Sequence, residues 1–167
     1  MPAGPGFVSV TLEQTRLEAA VDLVVATDFS AHGMKVLGVA RHMGEALGAR
    51  LWVIHVVAPQ SDFRAYGGGA RTDRNVAAQE LRQEHRLVQA AAAALREDGI
   101  EAMGLMIEGR PVQAILDEAG RLEADLIIIG SHGYGTVFSA LLGSVSAGVV
   151  RKASCPVLVV PVQKAAP

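Results

Sequence analysis

The sequence predicts a single α/β domain with an open, five-stranded parallel sheet and helices on both faces. Short aliphatic runs alternate along the chain with longer segments whose apolar residues recur at helical spacing. This alternation is typical of parallel strands joined by right-handed crossovers. Half of the 167 residues are hydrophobic but only 4% are aromatic, which suits an aliphatic sheet buried between helices. A chain of this length is one domain by size and can bury a core.

The first predicted strand and helix follow an N-terminal arm. Residues 1–20 begin with a Pro/Gly-rich stretch and are expected to form a flexible arm or a short helix. A strand is predicted at residues 23–26. A helix is predicted at residues 31–47, where apolar residues repeat at helical spacing. Ser30 is expected to cap this helix and Gly48 to end it.

A polar segment follows the second predicted strand, residues 50–57. Residues 60–74 carry three consecutive glycines and match no regular element, so a mobile loop is expected there. Its side chains Arg64, Tyr66 and Arg71 can either reach the phosphates or base of a ligand or stand in solvent, and the sequence leaves both possibilities open.

The second half of the chain continues the alternation. Pro111 is placed at the first position of a helix, where its missing N–H costs little. The remaining predicted elements are a helix at residues 75–98, a strand at 101–107, a helix at 112–122, a strand at 125–129, a helix at 144–152 and a strand at 156–160. The predicted domain spans residues 21–163, and residues 164–167 form a tail.

A spaced set of glycines follows the fourth predicted strand. Gly130, Gly133 and Gly143–Ser144 form the pattern Gly-x2-Gly-x9-Gly-Ser. Backbone N–H groups on a concave surface bind phosphate, and glycine supplies both close approach and positive φ. Ser144 is expected to cap the next helix, whose positive dipole end also favours an anion. We therefore predict a cradle for nucleotide phosphates, the alternative being that these glycines merely turn a strand into a helix.

Asp28 directly follows the first predicted strand. Ligands of open α/β sheets bind outside the carboxyl ends of the strands. If the first and fourth strands are neighbours, Thr27 and Asp28 face the same crevice as Gly130. A carboxylate there can accept a hydrogen bond from a ribose hydroxyl or a purine N–H, or hold a metal that bridges phosphates. The alternative is that Asp28 is a dipole partner for the helix that follows.

The composition argues against several other partners and sites. A formal net charge of −2 does not suggest nucleic acid or an anionic membrane as partner. The single Cys155 cannot form an internal disulfide, and no signal peptide or membrane-length apolar run is visible, so the cytoplasm is the expected location. The five histidines show no metal-ligand spacing, and no Ser/His/Asp set is identifiable.

Six short segments occur in one order along the chain. They are residues 24–30 (VVATDFS), 55–56 (HV), 109–111 (GRP), 124–133 (ADLIIIGSHG), 142–146 (LGSVS) and 154–160 (SCPVLVV). This ordered set, which covers nearly the whole chain from about residue 22 to residue 162, resembles the universal stress protein family. The resemblance implies a Rossmann-like fold of the adenine nucleotide alpha hydrolase type with strand order 3-2-1-4-5. It also implies a homodimer paired through the last strand, residues 156–160.

The resemblance also implies a ligand. Family members that bind ATP carry Gly-x2-Gly-x9-Gly followed by Ser or Thr, and this chain carries that pattern intact. ATP or another adenine nucleotide is therefore implied, with magnesium or manganese on its phosphates. The residues implied to line the adenosine side are Ala26, Thr27, Asp28 and Val56, with Ile129 and Gly130 beside it. Those implied to hold the phosphates and ribose are Gly133, Gly143, Ser144, Val145 and Ser146.

The expected function is that of a nucleotide-dependent stress-response or signalling protein. Any ATP hydrolysis is expected to be slow because no catalytic base or arginine finger is identifiable. The alternatives are a nucleotidyl-transfer or ATP-pyrophosphatase enzyme of the same topology, a ligand-free dimerisation module and a flavodoxin-like electron carrier. The enzymes carry His-x-Gly-His or Ser-Gly-Gly-x-Asp-Ser after the first strand, and Thr27-Asp28-Phe29-Ser30 matches neither signature.

Overall fold

The computed structural model describes residues 20–57, 71–131 and 142–161. Between residues 71 and 77 it describes only the backbone, except at Val76. No helix in these ranges is long and apolar enough to cross a membrane. The elements in chain order are β1 (Asp22–Ala26), α1 (Ala31–Leu47), β2 (Arg50–Val57), α2 (Arg71–Glu97), β3 (Ala102–Glu108), α3 (Pro111–Arg121), β4 (Leu126–Gly130), α4 (Ser144–Lys152) and β5 (Val157–Val160).

The five strands form one parallel sheet in the order β3-β2-β1-β4-β5. The predicted fold class and the strand order are thus confirmed. β1 lies at the centre, where Ala26 pairs with Ile54 of β2 and with Ile129 of β4. The carboxyl ends of these three strands therefore meet at one edge of the sheet, which we call the carboxyl edge.

Each face of the sheet carries its own core because successive side chains of a strand point to opposite faces. On one face, β1 packs with α1 and α2, and on the other it packs with α3 and α4. The first core includes Leu23, Val25, Val36, Ala40 and Ala92, and the second includes Val24, Ala26, Ile115, Ala119 and Val149. Helices thus cover both faces, as the aliphatic composition predicts.

Most element boundaries agree with the sequence-based prediction to within one residue. The helix caps at Ser30 and Gly48 are confirmed: the Ser30 hydroxyl accepts a hydrogen bond from the Gly33 N–H at 3.0 Å, and Gly48 has a φ of 59°. The prediction that residues 60–74 form no regular element is wrong for residues 71–74, which belong to α2. These residues are polar, but the sequence places Asp73 in the first turn, where an acidic residue favours a helix N-terminus.

A polar cluster ties strands together at the amino edge of the sheet, opposite the carboxyl edge. The Asp22 carboxylate accepts hydrogen bonds from Arg50 at 2.7 and 3.0 Å and from the Trp52 indole at 2.7 Å. The Arg50 guanidinium also lies 5.2 Å from the centre of the Trp52 ring. The hydrogen bonds to Asp22 raise the pKa of Arg50 above its ordinary value.

Replacing Asp22 by alanine is expected to lower the free energy of unfolding by about 2 kcal/mol because it leaves the Arg50 and Trp52 donors without their acceptor. Urea unfolding measures the change. Arg41→Ala is the matched control, since Arg41 pairs with Asp98 in the open, with side chains 48% and 43% exposed. It should cost about 0.5 kcal/mol. Equal losses for the two variants would contradict a stabilising role for the Asp22 cluster.

Candidate functional site

A cavity of about 300 Å³ opens at the carboxyl edge of the sheet. It lies where the ends of β1, β2 and β4 meet the N-termini of α1, α3 and α4. Every predicted site residue within the described ranges lines it: Ala26, Thr27, Asp28, Val56, Ile129, Gly130, Gly143, Ser144, Val145 and Ser146. Gly133 lies outside the described residues, as do Arg64 and Tyr66, and the side chain of Arg71 is not described.

The turn between β1 and α1 is held together by its own side chains. Thr27 Oγ1 accepts from the Phe29 N–H at 3.1 Å, and Phe29 takes a φ of 55°, which is uncommon for a residue other than glycine. Asp28 Oδ1 accepts from the Ser30 N–H at 3.0 Å and from the Ser30 hydroxyl at 2.6 Å. Oδ1 therefore holds the residue that caps α1, which gives Asp28 a structural role at the start of that helix.

The second carboxylate oxygen of Asp28 is different. Oδ2 is buried and has no hydrogen-bond partner among the described residues. Native proteins satisfy nearly all buried polar groups, and an exception calls for an explanation. Because Asp28 lines the cavity, a bound ligand that donates a hydrogen bond to Oδ2 would explain this exception.

The prediction that Ser144 is the N-cap of α4 is wrong. The N-cap is Gly143, in an extended conformation with φ −59° and ψ 155°, and Ser144 is the first helical residue. The Gly143 N–H donates to Ser131 O at 2.8 Å, and the first helical bond runs from the Ala147 N–H to Gly143 O at 2.8 Å. An N-cap residue has non-helical backbone dihedrals. Gly143 has them, one residue before Ser144, whose hydroxyl was the reason for predicting the cap there.

This cap leaves backbone donors free at the cavity. The N–H groups of Ser144, Val145 and Ser146 precede the first helical bond and have no acceptor among the described residues. The Ser146 hydroxyl is already committed, because it donates to Gly130 O at 2.6 Å and is buried. The Ser146 N–H is therefore available to a ligand, while the Ser146 hydroxyl links α4 to β4.

The expectation that the motif glycines supply positive φ is wrong for those that the structure describes. Within the described ranges, the glycines with positive φ are Gly48 and Gly99. Gly130 ends a strand and Gly143 is an extended cap, so both are compatible with negative φ. A Cβ on Gly130 would lie 2.8 Å from two ring atoms of His32, so glycine is required there by packing inside the protein.

Several cavity residues were not predicted: His32, Gly33, Val36, Ile54, His55, Pro111 and Ile115. His32 and Gly33 follow Asp28 by four and five residues and lie at the start of α1. Pro111 and Ile115 are one turn apart at the start of α3, which begins at the carboxyl edge because it follows β3. In a parallel sheet, every helix that follows a strand begins at the carboxyl edge. Applied to α1 and α3, this rule would have predicted that the residues of their first turns line the cavity.

Two histidines face the cavity, and each donates to a backbone carbonyl. His55 Nδ1 lies 2.9 Å from Thr27 O, and His32 Nε2 lies 3.2 Å from Val160 O. A carbonyl oxygen only accepts, so these nitrogens carry the protons. The other ring nitrogen of His32, Nδ1, is buried without a partner among the described residues. His55 also contacts the Phe29 ring, with 5.3 Å between ring centres.

The model of the universal stress protein family matches residues 22–161. The chain belongs to this family. A universal stress protein of Thermus aquaticus is 38% identical over 140 residues, which cover 83% of this chain and 96% of the relative. The universal stress protein YxiE of Bacillus subtilis is 29% identical over 143 residues, covering 83% and 97% of the two chains.

Solved structures of the family share this fold. One is a universal stress protein in complex with cAMP, with a TM-score of 0.60 and 26% identity over 86% of this chain and 98% of that chain. Another is a universal stress protein from Archaeoglobus fulgidus in complex with dAMP, with a TM-score of 0.57 and 25% identity over 83% and 96%. Adenine nucleotides are therefore ligands of structures similar to this universal stress protein.

Proposed function

We propose that this universal stress protein binds an adenine nucleotide in the cavity at the carboxyl edge and acts in the cytoplasm as a nucleotide-dependent stress-response or signalling protein. Structures similar to it are complexes with cAMP and dAMP. The observation that carries the proposal is the arrangement of polar groups in the cavity, since a nucleotide needs amide donors for phosphate, acceptors for ribose or amine, and an apolar wall for the base.

All three features occur in this cavity. The free N–H groups at the start of α4 supply donors beside the positive end of a helix dipole. Asp28 Oδ2 supplies a buried acceptor. Ala26, Val56 and Ile129 supply an apolar wall against which an adenine ring can pack.

ATP with magnesium or manganese is the ligand that the family resemblance implies, because this chain carries the glycine pattern of the members that bind ATP. Within the described residues no group of three or more His, Cys, Asp or Glu side chains is placed to hold a metal ion. In our proposal the ion is therefore held mainly by the phosphate oxygens. Hydrolysis is expected to be slow, since no lysine or arginine is among the described residues that line the cavity.

Replacing Ser144 by glutamate tests the phosphate end of the site. A carboxylate in the first turn of α4 suits the helix dipole and preserves folding, but it repels phosphate beside the same N–H groups. We expect the dissociation constant for ATP, measured by titration calorimetry, to rise at least about tenfold, equivalent to about 1.4 kcal/mol. Binding of adenosine, which lacks phosphate, should be unchanged.

The matched control is Ser144→Gln, which has the same size without the charge and should bind ATP nearly as tightly as the wild type. ATP at about a hundredfold excess over its dissociation constant should raise the free energy of unfolding of the wild type by about 2.7 kcal/mol. Wild-type affinity for ATP in Ser144→Glu would refute the phosphate assignment. Failure of the wild type to bind any adenine nucleotide would refute the proposed function.

We also propose a homodimer paired through β5. The outward carbonyls of Ala102 and Gly104 on β3, at the other end of the sheet, accept from α2 side chains, Arg96 at 2.7 Å and Gln89 at 3.0 Å. No described side chain donates to the outer edge of β5 in this way. An aliphatic edge strand with free backbone groups is a template for a second chain.

Replacing Val159 by proline is expected to weaken this dimer at least about tenfold. Pro156 O and Val160 O accept bonds from β4, so the N–H of Val159, one residue out of phase with them, points away from the sheet. Proline removes this donor without breaking a bond between β4 and β5. Sedimentation velocity over a dilution series measures the change, and a dimer of unaltered affinity would contradict pairing through β5.

A further inference from the structure

We propose that His32 is a ligand-contacting residue whose Nδ1 accepts a hydrogen bond from the nucleoside part of the bound nucleotide. This inference rests on the proposed function. The described residues contain two buried side-chain atoms without hydrogen-bond partners, Asp28 Oδ2 and His32 Nδ1, and both belong to residues that line the same cavity. A buried acceptor left alone costs free energy, which a ligand donor recovers.

The ring of His32 is held in one orientation. Nε2 donates to Val160 O at 3.2 Å, and the same carbonyl accepts the Ser131 N–H at 2.8 Å. The edge of the ring formed by Cδ2 and Nε2 lies against Gly130, where a Cβ would come within 2.8 Å of either atom. Since Nε2 carries the proton, the neutral ring has a lone pair on Nδ1 and no hydrogen there.

The lone pair on Nδ1 requires a partner that donates a hydrogen bond. Phosphate oxygens are acceptors, so they gain nothing from Nδ1 and are better placed at the free N–H groups of α4. The donors of an adenine nucleotide are its ribose hydroxyls and the exocyclic amine of the base. The acceptor Asp28 Oδ2 comes from the turn between β1 and α1, and His32 Nδ1 comes from the first turn of α1. In this proposal these two adjoining turns recognise the nucleoside, and the N-terminus of α4 recognises the phosphate.

His32 Nδ1 is shielded from water, although other atoms of the residue line the cavity. The nucleoside therefore reaches it through a small adjustment of the cavity wall at the start of α1. The ring is held by Val160 O and Gly130, and Gly33 and the turn residues before it pack closely, so the adjustment is expected in the neighbouring side chains of the cavity wall rather than in the ring or the backbone.

Titration calorimetry with AMP on matched variants tests the inference. His32→Gln can keep a donor for Val160 O through its amide but has no acceptor at the position of Nδ1, and we expect AMP to bind about tenfold more weakly. His32→Asn places an amide oxygen near the position of Nδ1 and should recover part of the affinity. His42→Gln, at an exposed histidine of the same helix, should bind AMP as the wild type does.

Analogues identify the donor. The affinities of 2′-deoxy-AMP, 3′-deoxy-AMP and IMP are compared between the wild type and His32→Gln. The analogue that lacks the contacted donor should bind the two proteins equally, while the other two lose about tenfold in the variant. Equal losses for AMP and all three analogues would show that His32 only supports the cavity wall and would overturn the inference.

A measurement on the wild-type protein does not depend on whether the variants fold. In ¹⁵N-histidine-labelled protein, the Nδ1 resonance of His32 should shift when AMP binds, while that of His42 should not. AMP binding with an unmoved Nδ1 resonance and a wild-type affinity in His32→Gln would overturn the role of His32 and leave the proposed function standing. Absence of AMP binding in the wild type would overturn both.

Discussion

Replacing Gly33 by alanine is expected to lower the free energy of unfolding by about 3 kcal/mol and to abolish nucleotide binding. A Cβ at this position would lie 2.6 Å from both Asp28 Oδ1 and Thr27 Oγ1, well inside contact distance. The turn must then shift, which breaks the bonds that Asp28 and Ser30 make to the start of α1. Overpacking of this kind costs about 1–3 kcal/mol, and loss of a helix cap costs about 1 kcal/mol more.

The matched control is Gly38→Ala in the same helix. Gly38 is exposed and an added Cβ would meet no atom within 4 Å, so alanine should stabilise the helix by about 0.5–1 kcal/mol. Thermal and urea unfolding compare the two variants, and calorimetry with ATP measures binding. If Gly33→Ala were as stable as Gly38→Ala, the tight packing of the turn against α1 would be disproved.

Replacing Asp28 by asparagine is expected to separate stability from binding. The amide oxygen can take the place of Oδ1 and accept from Ser30, while an NH₂ group replaces the unpartnered, buried Oδ2. The bonds from Ser30 are kept and one unpartnered buried atom replaces another, so the free energy of unfolding should change by less than about 1 kcal/mol. The ligand then meets a donor where it needs an acceptor, and AMP affinity should fall about 30-fold to 100-fold, or about 2–3 kcal/mol.

Asp98→Asn serves as the control because Asp98 is an exposed partner of Arg41 far along the chain from the turn. It should change neither AMP affinity nor stability by more than about 0.5 kcal/mol. Calorimetry with AMP and urea unfolding provide the two readouts. An Asp28→Asn variant that keeps wild-type affinity would show that Oδ2 does not contact the nucleotide.

The fold was predictable from the sequence because its signals are local and repeated. Each strand is a short segment rich in aliphatic residues. The ends of α1 are marked by Ser30, whose hydroxyl caps the helix, and by Gly48, which has the positive φ that glycine favours. The strand order followed from the family resemblance rather than from periodicity, and the structure confirms it. Residues 71–74 were missed because they are polar and carry no apolar repeat.

The candidate site was predicted in its position but not in its physical detail. The sequence showed that Asp28 and the glycine pattern each follow a strand, and the family resemblance implied that these two strands are neighbours. It could not show that Gly130 makes room for the His32 ring, because that contact joins residues that are 98 positions apart in the sequence. Nor could it show that Gly143, and not Ser144, caps α4, because both residue types are acceptable at that position.

The covering of β3 by α2 has a consequence for how copies of this chain can associate. Val88 O would lie 2.7 Å from a Cβ on Gly104, so the helix backbone sits directly on that strand, while Arg96 and Gln89 occupy its outward carbonyls. Among the described strands, this leaves β5 as the edge open to a neighbour. The dimer that we propose through β5 would be isologous, with the same surface used on both subunits, and it would close after two copies rather than grow into a filament.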